Sequence, residues 1–457
     1  MIDLDNNEAF NRIISFIQNL EFEKLNLREQ KQAKKCFLDL AGVICTGAKN
    51  HTSKCMAEYV KNNYPGGNYT ILATGESTNL IGAALANGMS ANALDMDDGY
   101  SLLRGHPGAG FFGGLLSAAE CADCTYGEFL ASIVVAYELS IRQGYAIRDY
   151  YGWDHSSGSY ATFATAASVG KLLHLSSEEL KMALGIADFI MPVNPAKRSC
   201  YFPSMNKDGI YWGQHAGVQA VLMAQNGITG KNPVILDEKY RPYIDSLGTK
   251  FYMHDLYIKF YSCCRWAHSP IRAVSHLIKE HGISPEDIAT VDIYSFGNAG
   301  TLYKEAPHTE DEAQYNIIYP IAAQIVFGNC GPLESSTDKM LDPRIEPMIR
   351  KIHFHHDPTY DAVFPGKRLS RAEITVMSGK KYVSGAFEPE GDCNADVSLE
   401  DIAAKVTKMN RIYADDSTVD AFIHAVIDTP YSAPMTVVWD KIRALAVKNI
   451  HPEIRFI

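Results

Sequence analysis

Ala93-Leu94-Asp95-Met96-Asp97-Asp98-Gly99-Tyr100-Ser101-Leu102-Leu103-Arg104-Gly105-His106-Pro107 is the stretch from which the rest of the chain is best read. Three carboxylates fall within four residues, and an imidazole follows in a Gly-His-Pro turn. A run rich in small residues, Ile81 to Ala93, leads in, and another, Gly108 to Cys121, leads out. Both read as helices whose small residues let neighbouring axes approach closely, which makes them inner helices of an all-α layer. Carboxylates at the C-terminal end of an apolar helix add to negative charge already there. Each therefore needs a counterpart: a cation, a bound proton, or a functional site that tolerates the cost.

Outward from this stretch the helical texture continues from Asn79 to about Asn226, with Ala-rich segments such as Ala161 to Val169. Thr125-Tyr126-Gly127-Glu128 and Ser176-Ser177-Glu178-Glu179 both fit a capping box ahead of an apolar run. On the N-terminal side, Phe10, Ile13, Ile14, Ile17 and Leu20 repeat at helical spacing, as do Ala33, Phe37, Leu40, Ala41 and Ile44, and Gly47 is placed to end the second helix. Tyr69 to Ala73 reads as a short strand or extended loop. Near Phe260 the pattern changes. A helix from about Ser269 to His281 and a capped turn at Ser284-Pro285-Glu286-Asp287 precede strand-like runs at Thr290–Phe296, Ile352–His355, Arg371–Met377 and Tyr382–Phe387, the last two joined by Ser378-Gly379. Helices are expected at Asp311–Phe327 and Arg344–Lys351. From Ser398 to about Ala446 the chain is helical again. The expected fold is mainly α: a large all-α domain (1–262), an inserted smaller α+β lid domain (263–396), and C-terminal helices returning to the first domain (397–457).

The totals narrow the function. With 42 Lys and Arg against 53 Asp and Glu, the net charge of −11 and the absence of a basic run disfavour nucleic-acid binding. No apolar run is long enough for a bilayer span, and the first residues carry no secretory pattern. Ten scattered cysteines read as reduced thiols, so a cytoplasmic protein is expected. Cys121-Ala122-Asp123-Cys124 is a lone CxxC without partners for zinc. Alternation puts His353 and His355 on one strand face without a supporting ligand. No P-loop, dinucleotide fingerprint or Gly-x-Ser-x-Gly elbow is present. Acid/base chemistry without a bound cofactor remains. Its candidates are the Asp cluster with His106, His155 before an Ala-rich helix, Lys207-Asp208-Gly209 downstream of Lys197-Arg198, Lys259 among aromatics, and Tyr319 at a helix start.

Taken in order, these pieces resemble the MmgE/PrpD family of 2-methylcitrate dehydratases, cis-aconitate decarboxylases and iminodisuccinate epimerases. The similarity rests on Leu94-Asp95-Met96-Asp97-Asp98 with Gly105-His106-Pro107, and on His155 ahead of Ala166-Ala167-Ser168-Val169-Gly170-Lys171. Lys207-Asp208-Gly209, Lys259 nine residues before His268, Tyr319-Pro320-Ile321-Ala322-Ala323, Phe364-Pro365 and Pro389-Glu390-Gly391-Asp392 extend it along nearly the whole chain. The resemblance implies a homodimer with no metal or organic cofactor. It implies a catalytic set of Asp95, His106, His155, Lys207, Lys259 and Tyr319. Where that set includes a Thr this chain has Gly99, leaving Tyr100 or Ser101 to supply a hydroxyl. Tyr100, Ser101, Arg104, Lys207, Lys259 and His268 are the expected substrate-binding group. His106, oriented by Asp95, is expected to be the main acid or base, with His155 and Tyr319 as partner acids or anchors. The implied activity is a lyase reaction on a small di- or tricarboxylate, dehydration of a 2-methylcitrate-like acid first and decarboxylation of an aconitate-like acid next. Epimerisation of a dicarboxylate and non-catalytic carboxylate binding are the alternatives.

Overall fold

A computed structural model describes residues 7–200 and 204–455. Helices Leu80–Asn92, Pro107–Ala119, Gly158–Leu172 and Ile210–Gln225 form its centre. The second is buried along its whole length and the first everywhere but at Ile81, which their Ala, Gly and Ser content permits. Around them pack Glu8–Asn19, Leu27–Gly47, Tyr126–Tyr151 and Ser177–Ile190. The capping boxes at Thr125 with Glu128 and at Ser176 with Glu179 are both formed. Helix Leu27–Gly47 ends on Gly47, and its middle meets helix Leu399–Asn410, where Val406 lies against Gly42.

A second hydrophobic cluster runs from Cys263 to Ile374. Its sheet has the order Ile352–His356, Ile288–Ser295, Ser370–Val376, Lys381–Val383. The first pair is parallel and the other two antiparallel. Alternation along Ile288–Ser295 turns Val291, Ile293 and Ser295 inward, toward helix His268–His281 with its buried Ile271, Val274 and Leu277. The C-terminal helices Leu399–Asn410, Asp416–Asp428 and Thr436–Val447 place Ile402, Val406, Phe422, Val438 and Ile442 in the same cluster as Phe37 and Phe112.

Several elements depart from the sequence reading. The helix expected over 311–327 is two, Glu310–Gln314 and Tyr319–Phe327. The break comes from Asn316, whose Oδ1 accepts the N–H of Ile318 and of Tyr319, both at 2.8 Å, ahead of Pro320. The helix near 344–351 is shorter, Ile345–Ile349. Ser284 makes no side-chain cap, and Pro285–Asp287 is a single 3₁₀ turn. The polar sequence of helix His51–Asn63 carries little apolar periodicity, so its start rests on the Asn50 side chain accepting from Thr52 N–H. Among the described residues, no helix is long and apolar enough to cross a membrane.

The feature that matters most for the site is small. Gly99–Tyr100 pairs antiparallel with Leu256–Tyr257, Gly99 opposite Tyr257 and Tyr100 opposite Leu256. This two-residue ladder ties the Asp-rich loop to the chain leading into the second cluster.

Candidate active site

The three carboxylates of the opening stretch are each offset by a different partner. Asp95 adopts a left-handed φ of 48°, which ends helix Leu80–Asn92 and turns its side chain toward Lys259. The Lys259 ammonium donates to Asp95 Oδ1 at 2.7 Å and to the Asp95 carbonyl at 3.0 Å. Asp97 accepts from Asn92 at 2.7 Å and stands 2.8 Å from His106 Nδ1. Asp98 caps the following helix, accepting from the Gly108 N–H at 3.1 Å, and it also accepts from the buried Tyr137 hydroxyl. A Cβ at position 108 would lie 2.2 Å from Asp98 Oδ2, so the glycine after His-Pro is what lets this carboxylate reach the helix end.

The orienting carboxylate of His106 is therefore Asp97 rather than Asp95. Asp95 Oδ1 is 3.5 Å from His106 Nε2 and is already engaged by Lys259. Sequence alone could not separate the two, because which way each side chain points follows from the left-handed turn at Asp95.

A cavity of about 170 Å³ opens above this network. Its lining includes Asp95, Arg104, His106, Lys197 and Asp208 from the first part of the chain and Tyr257, Lys259, Arg265, Tyr315 and Arg368 from the second. Its cations are only partly engaged. Arg104 pairs with Asp154 at 2.7 Å, Arg265 with Asp392 at 2.7 Å, and Arg368 donates to Ser101 Oγ at 2.8 Å. Yet the Nε–H of each of these three guanidiniums is buried without a hydrogen-bond partner. A buried N–H donor without an acceptor is costly, and all three belong to side chains that line this one cavity. Arg104 and Asp208 also hold left-handed φ of 55°, backbone strain of the kind that gathers at functional sites.

The other sequence candidates lie outside this wall. Lys207, buried behind it, is held by Asp311 at 2.5 Å and Gln314 at 2.6 Å. His155 has both ring nitrogens engaged, with the Ile147 carbonyl and Ser159 Oγ each at 3.1 Å. His268 faces the Cys263 carbonyl through Nε2 at 3.1 Å, and its Nδ1 has no partner. The Tyr319 hydroxyl donates to the Glu334 carbonyl. Tyr100 meets Tyr145 through their hydroxyls at 3.2 Å, and Ser101 serves Arg368. Arg265, Arg368 and Tyr257 are wall residues that sequence reasoning left out, while Asp208 stood in the Lys207-Asp208-Gly209 candidate stretch. The three owe their place to tertiary packing, and the one available signal was their nearness in sequence to Lys259 and Phe364-Pro365.

Electrostatics assign states to the groups. Burial alone would lower the His106 pKa, but the Asp97 carboxylate outweighs it and the net shift is upward, toward imidazolium. Burial likewise opposes charge on Lys259, and Asp95 reverses that, fixing the ammonium. Burial raises Asp98 to about 7 and Asp208 to about 6. Burial pushes His155 down, and burial together with Arg265 and Lys259 pushes His268 far down, so both rings are neutral. The site thus pairs a proton-carrying imidazole with a fixed cation. Asp95, Asp97 and His106 also present ligand atoms within 4.8 Å of one another, the spacing of a metal site. The Lys259 ammonium already sits on Asp95 where such an ion would draw its charge.

The comparisons with known proteins agree with this architecture. Residues 11–251 match the MmgE/PrpD N-terminal domain and residues 261–429 the MmgE/PrpD C-terminal domain. The chain is 23% identical to a cis-aconitate decarboxylase of Aspergillus terreus over 432 residues, covering 83% of this chain and 84% of that protein. It is 24% identical to a cis-aconitate decarboxylase-like protein of Aspergillus oryzae over 454 residues, with 89% and 91% covered. It is 21% identical to the cis-aconitate decarboxylase of Homo sapiens over 447 residues, with 90% and 89% covered. With both domain models matched in order and the cavity lying between the segments they cover, the chain belongs to the MmgE/PrpD family of enzymes.

Proposed function

We propose that this enzyme is a lyase that removes CO₂ from a small unsaturated tricarboxylate of the cis-aconitate type, using His106 as the proton donor. The observation that carries the proposal is the Asp97–His106 pair beside Lys259, facing a cavity whose three arginines hold unpartnered Nε–H groups. The names of the relatives point the same way.

The chemistry suits the groups. In cis-aconitate one carboxylate hangs on a methylene next to a double bond that is conjugated to another carboxylate. Cleaving the bond to the first carboxylate releases CO₂. Its electron pair becomes a new double bond to the methylene carbon. The old double bond's pair moves to the far alkene carbon and spreads into the attached carboxylate as enediolate. Preorganised cations stabilise that charge as it develops; we assign this part to Lys259, Arg265 and Arg368, which line the cavity. The His106 imidazolium then delivers its Nε2 proton to the alkene carbon, giving an α-methylene dicarboxylate. An imidazole is suited to both halves of such a cycle because it titrates near neutral pH.

The test is proton NMR of the purified protein in D₂O with cis-aconitate, citrate, 2-methylcitrate, isocitrate and aspartate-derived dicarboxylates. Loss of CO₂ from cis-aconitate with one deuteron in the product is the expected result. New olefinic signals from a hydroxy acid instead would make the enzyme a dehydratase. Deuterium wash-in without a new compound would make it an epimerase.

A pH profile checks the proton donor. A donor must be protonated, so activity holds below the His106 pKa and falls as pH rises through it. Asp97→Asn removes the carboxylate that raises this pKa most and leaves burial and Lys259, which lower it, opposed only by the weaker influence of Asp95. The fall in kcat is expected to move to lower pH in Asp97→Asn. An unmoved or upward-shifted limb would remove His106 as the acid.

A further inference from the structure

We propose that Tyr257 is a further substrate-contacting residue, its phenol O–H donating to the bound carboxylate substrate, and that Gly99 is the residue that makes room for it. The inference rests on the carboxylate-lyase reading and names one more donor in that site.

Tyr257 lines the cavity between Lys259 and the two arginines. In the ladder with Gly99–Tyr100 it stands directly opposite Gly99. Residues directly opposite in an antiparallel pair project side chains to the same face. A Cβ on Gly99 would fall 2.3 Å from both the ring carbon Cζ and the hydroxyl oxygen of Tyr257. The phenol therefore occupies the space a side chain at 99 would need, with its tip against Gly99. Two cations hold the ring. The Arg265 guanidinium lies 4.3 Å and the Arg368 guanidinium 5.6 Å from its centroid. Against these anchors the hydroxyl itself has no hydrogen-bond partner among the described residues, although the residue is almost wholly buried. The neighbouring buried tyrosine hydroxyls of Tyr100, Tyr137, Tyr160 and Tyr319 all have one. A buried Tyr O–H normally finds a partner. The one surface left to this hydroxyl is the cavity. Burial raises the phenol's pKa despite the nearby cations, so it stays a donor near neutral pH.

The test uses Tyr257→Phe, which keeps the ring and its two cation contacts. Two readouts separate this inference from the lyase reading. Isothermal titration with propane-1,2,3-tricarboxylate, which cannot lose CO₂ by the allylic route, reads binding alone. NMR turnover of cis-aconitate reads catalysis. Losing one hydrogen bond to a charged ligand is expected to weaken the tricarboxylate about tenfold or more, or to lower kcat by a similar factor, with an unchanged melting temperature because the hydroxyl has no protein partner. Gly99→Ala, which displaces the phenol, is expected to match that loss. The double variant Gly99→Ala/Tyr257→Phe is expected to be no worse than the worse single one, since both changes remove one interaction. A parent that binds the tricarboxylate but does not turn over cis-aconitate would sink the decarboxylase reading and leave Tyr257 to be decided by affinity. Unchanged affinity and rate in Tyr257→Phe, or a loss confined to melting temperature, would overturn the inference, as would strictly additive effects in the double variant.

Discussion

His106→Asn is expected to lower turnover at least about a hundredfold, the usual scale for a positioned acid or base. It is expected to leave the fold and carboxylate affinity nearly intact. The structure explains why the two should separate. The His106 backbone N–H is anchored by Ser157 Oγ at 2.9 Å, a contact any residue at this position keeps. Helix Pro107–Ala119 starts on Pro107 and on Asp98, not on the His106 ring. Asn is short and can still hydrogen-bond Asp97, so the buried carboxylate is not stranded. What Asn cannot do is carry a proton to carbon. The decisive measurement is single-turnover rate beside tricarboxylate affinity. A rate within a few-fold of the parent would remove His106 from the chemistry. An equal collapse of rate and affinity would make it an anchor rather than an acid.

How far the sequence could be read is instructive at particular residues. The Asp cluster, His106 and Lys259 stood out because their chemistry is local: charge at a helix end, an imidazole in a Gly-His-Pro turn, a lysine among aromatics. Their convergence on one cavity follows from the short ladder between Gly99–Tyr100 and Leu256–Tyr257, which no periodicity announces. The helical layer was legible because small residues and formed capping boxes are local signals too. His155 and Tyr319 show the opposite case. Both have the right functional groups, yet their polar atoms meet main-chain carbonyls of Ile147 and Glu334 outside the cavity wall. Sequence reveals a side chain's chemistry but not whether a neighbouring carbonyl has already claimed it. Arg368 is the converse: unremarkable in its own stretch, it reaches Ser101 across 267 positions, lines the cavity and keeps a buried Nε–H without a partner. Asp95 was expected to orient His106, and Asp97 does so instead; a single residue, Met96, separates the two carboxylates, and only the backbone dihedrals tell them apart.

Lys259→Met should have the broadest effect, because it strikes both stability and chemistry. Lys259 and Asp95 are each 1% exposed, so the variant leaves a carboxylate buried without its counterion. Removing one partner of a buried pair costs about 3–5 kcal/mol, and Asp95 is poorly placed to recover it. Its Oδ2 already lacks a partner, and its remaining cationic neighbour is His106 at 3.5 Å. In the proposed reaction the Lys259 ammonium is also one of the charges that stabilise the developing enediolate, so turnover is expected to fall at least about a hundredfold. Urea denaturation and turnover together read the two effects, and a second substitution separates them. Lys259→Met/Asp95→Asn removes the stranded charge and is expected to regain most of the lost stability without regaining activity. If the double variant recovered both, the pair would be a structural ion pair and the catalytic cation would have to be sought at Arg265 or Arg368. If the single variant were as stable as the parent, Asp95 would have to be protonated or reached by water in the folded state, and the reading of the three carboxylates as separately neutralised would fail at its first member.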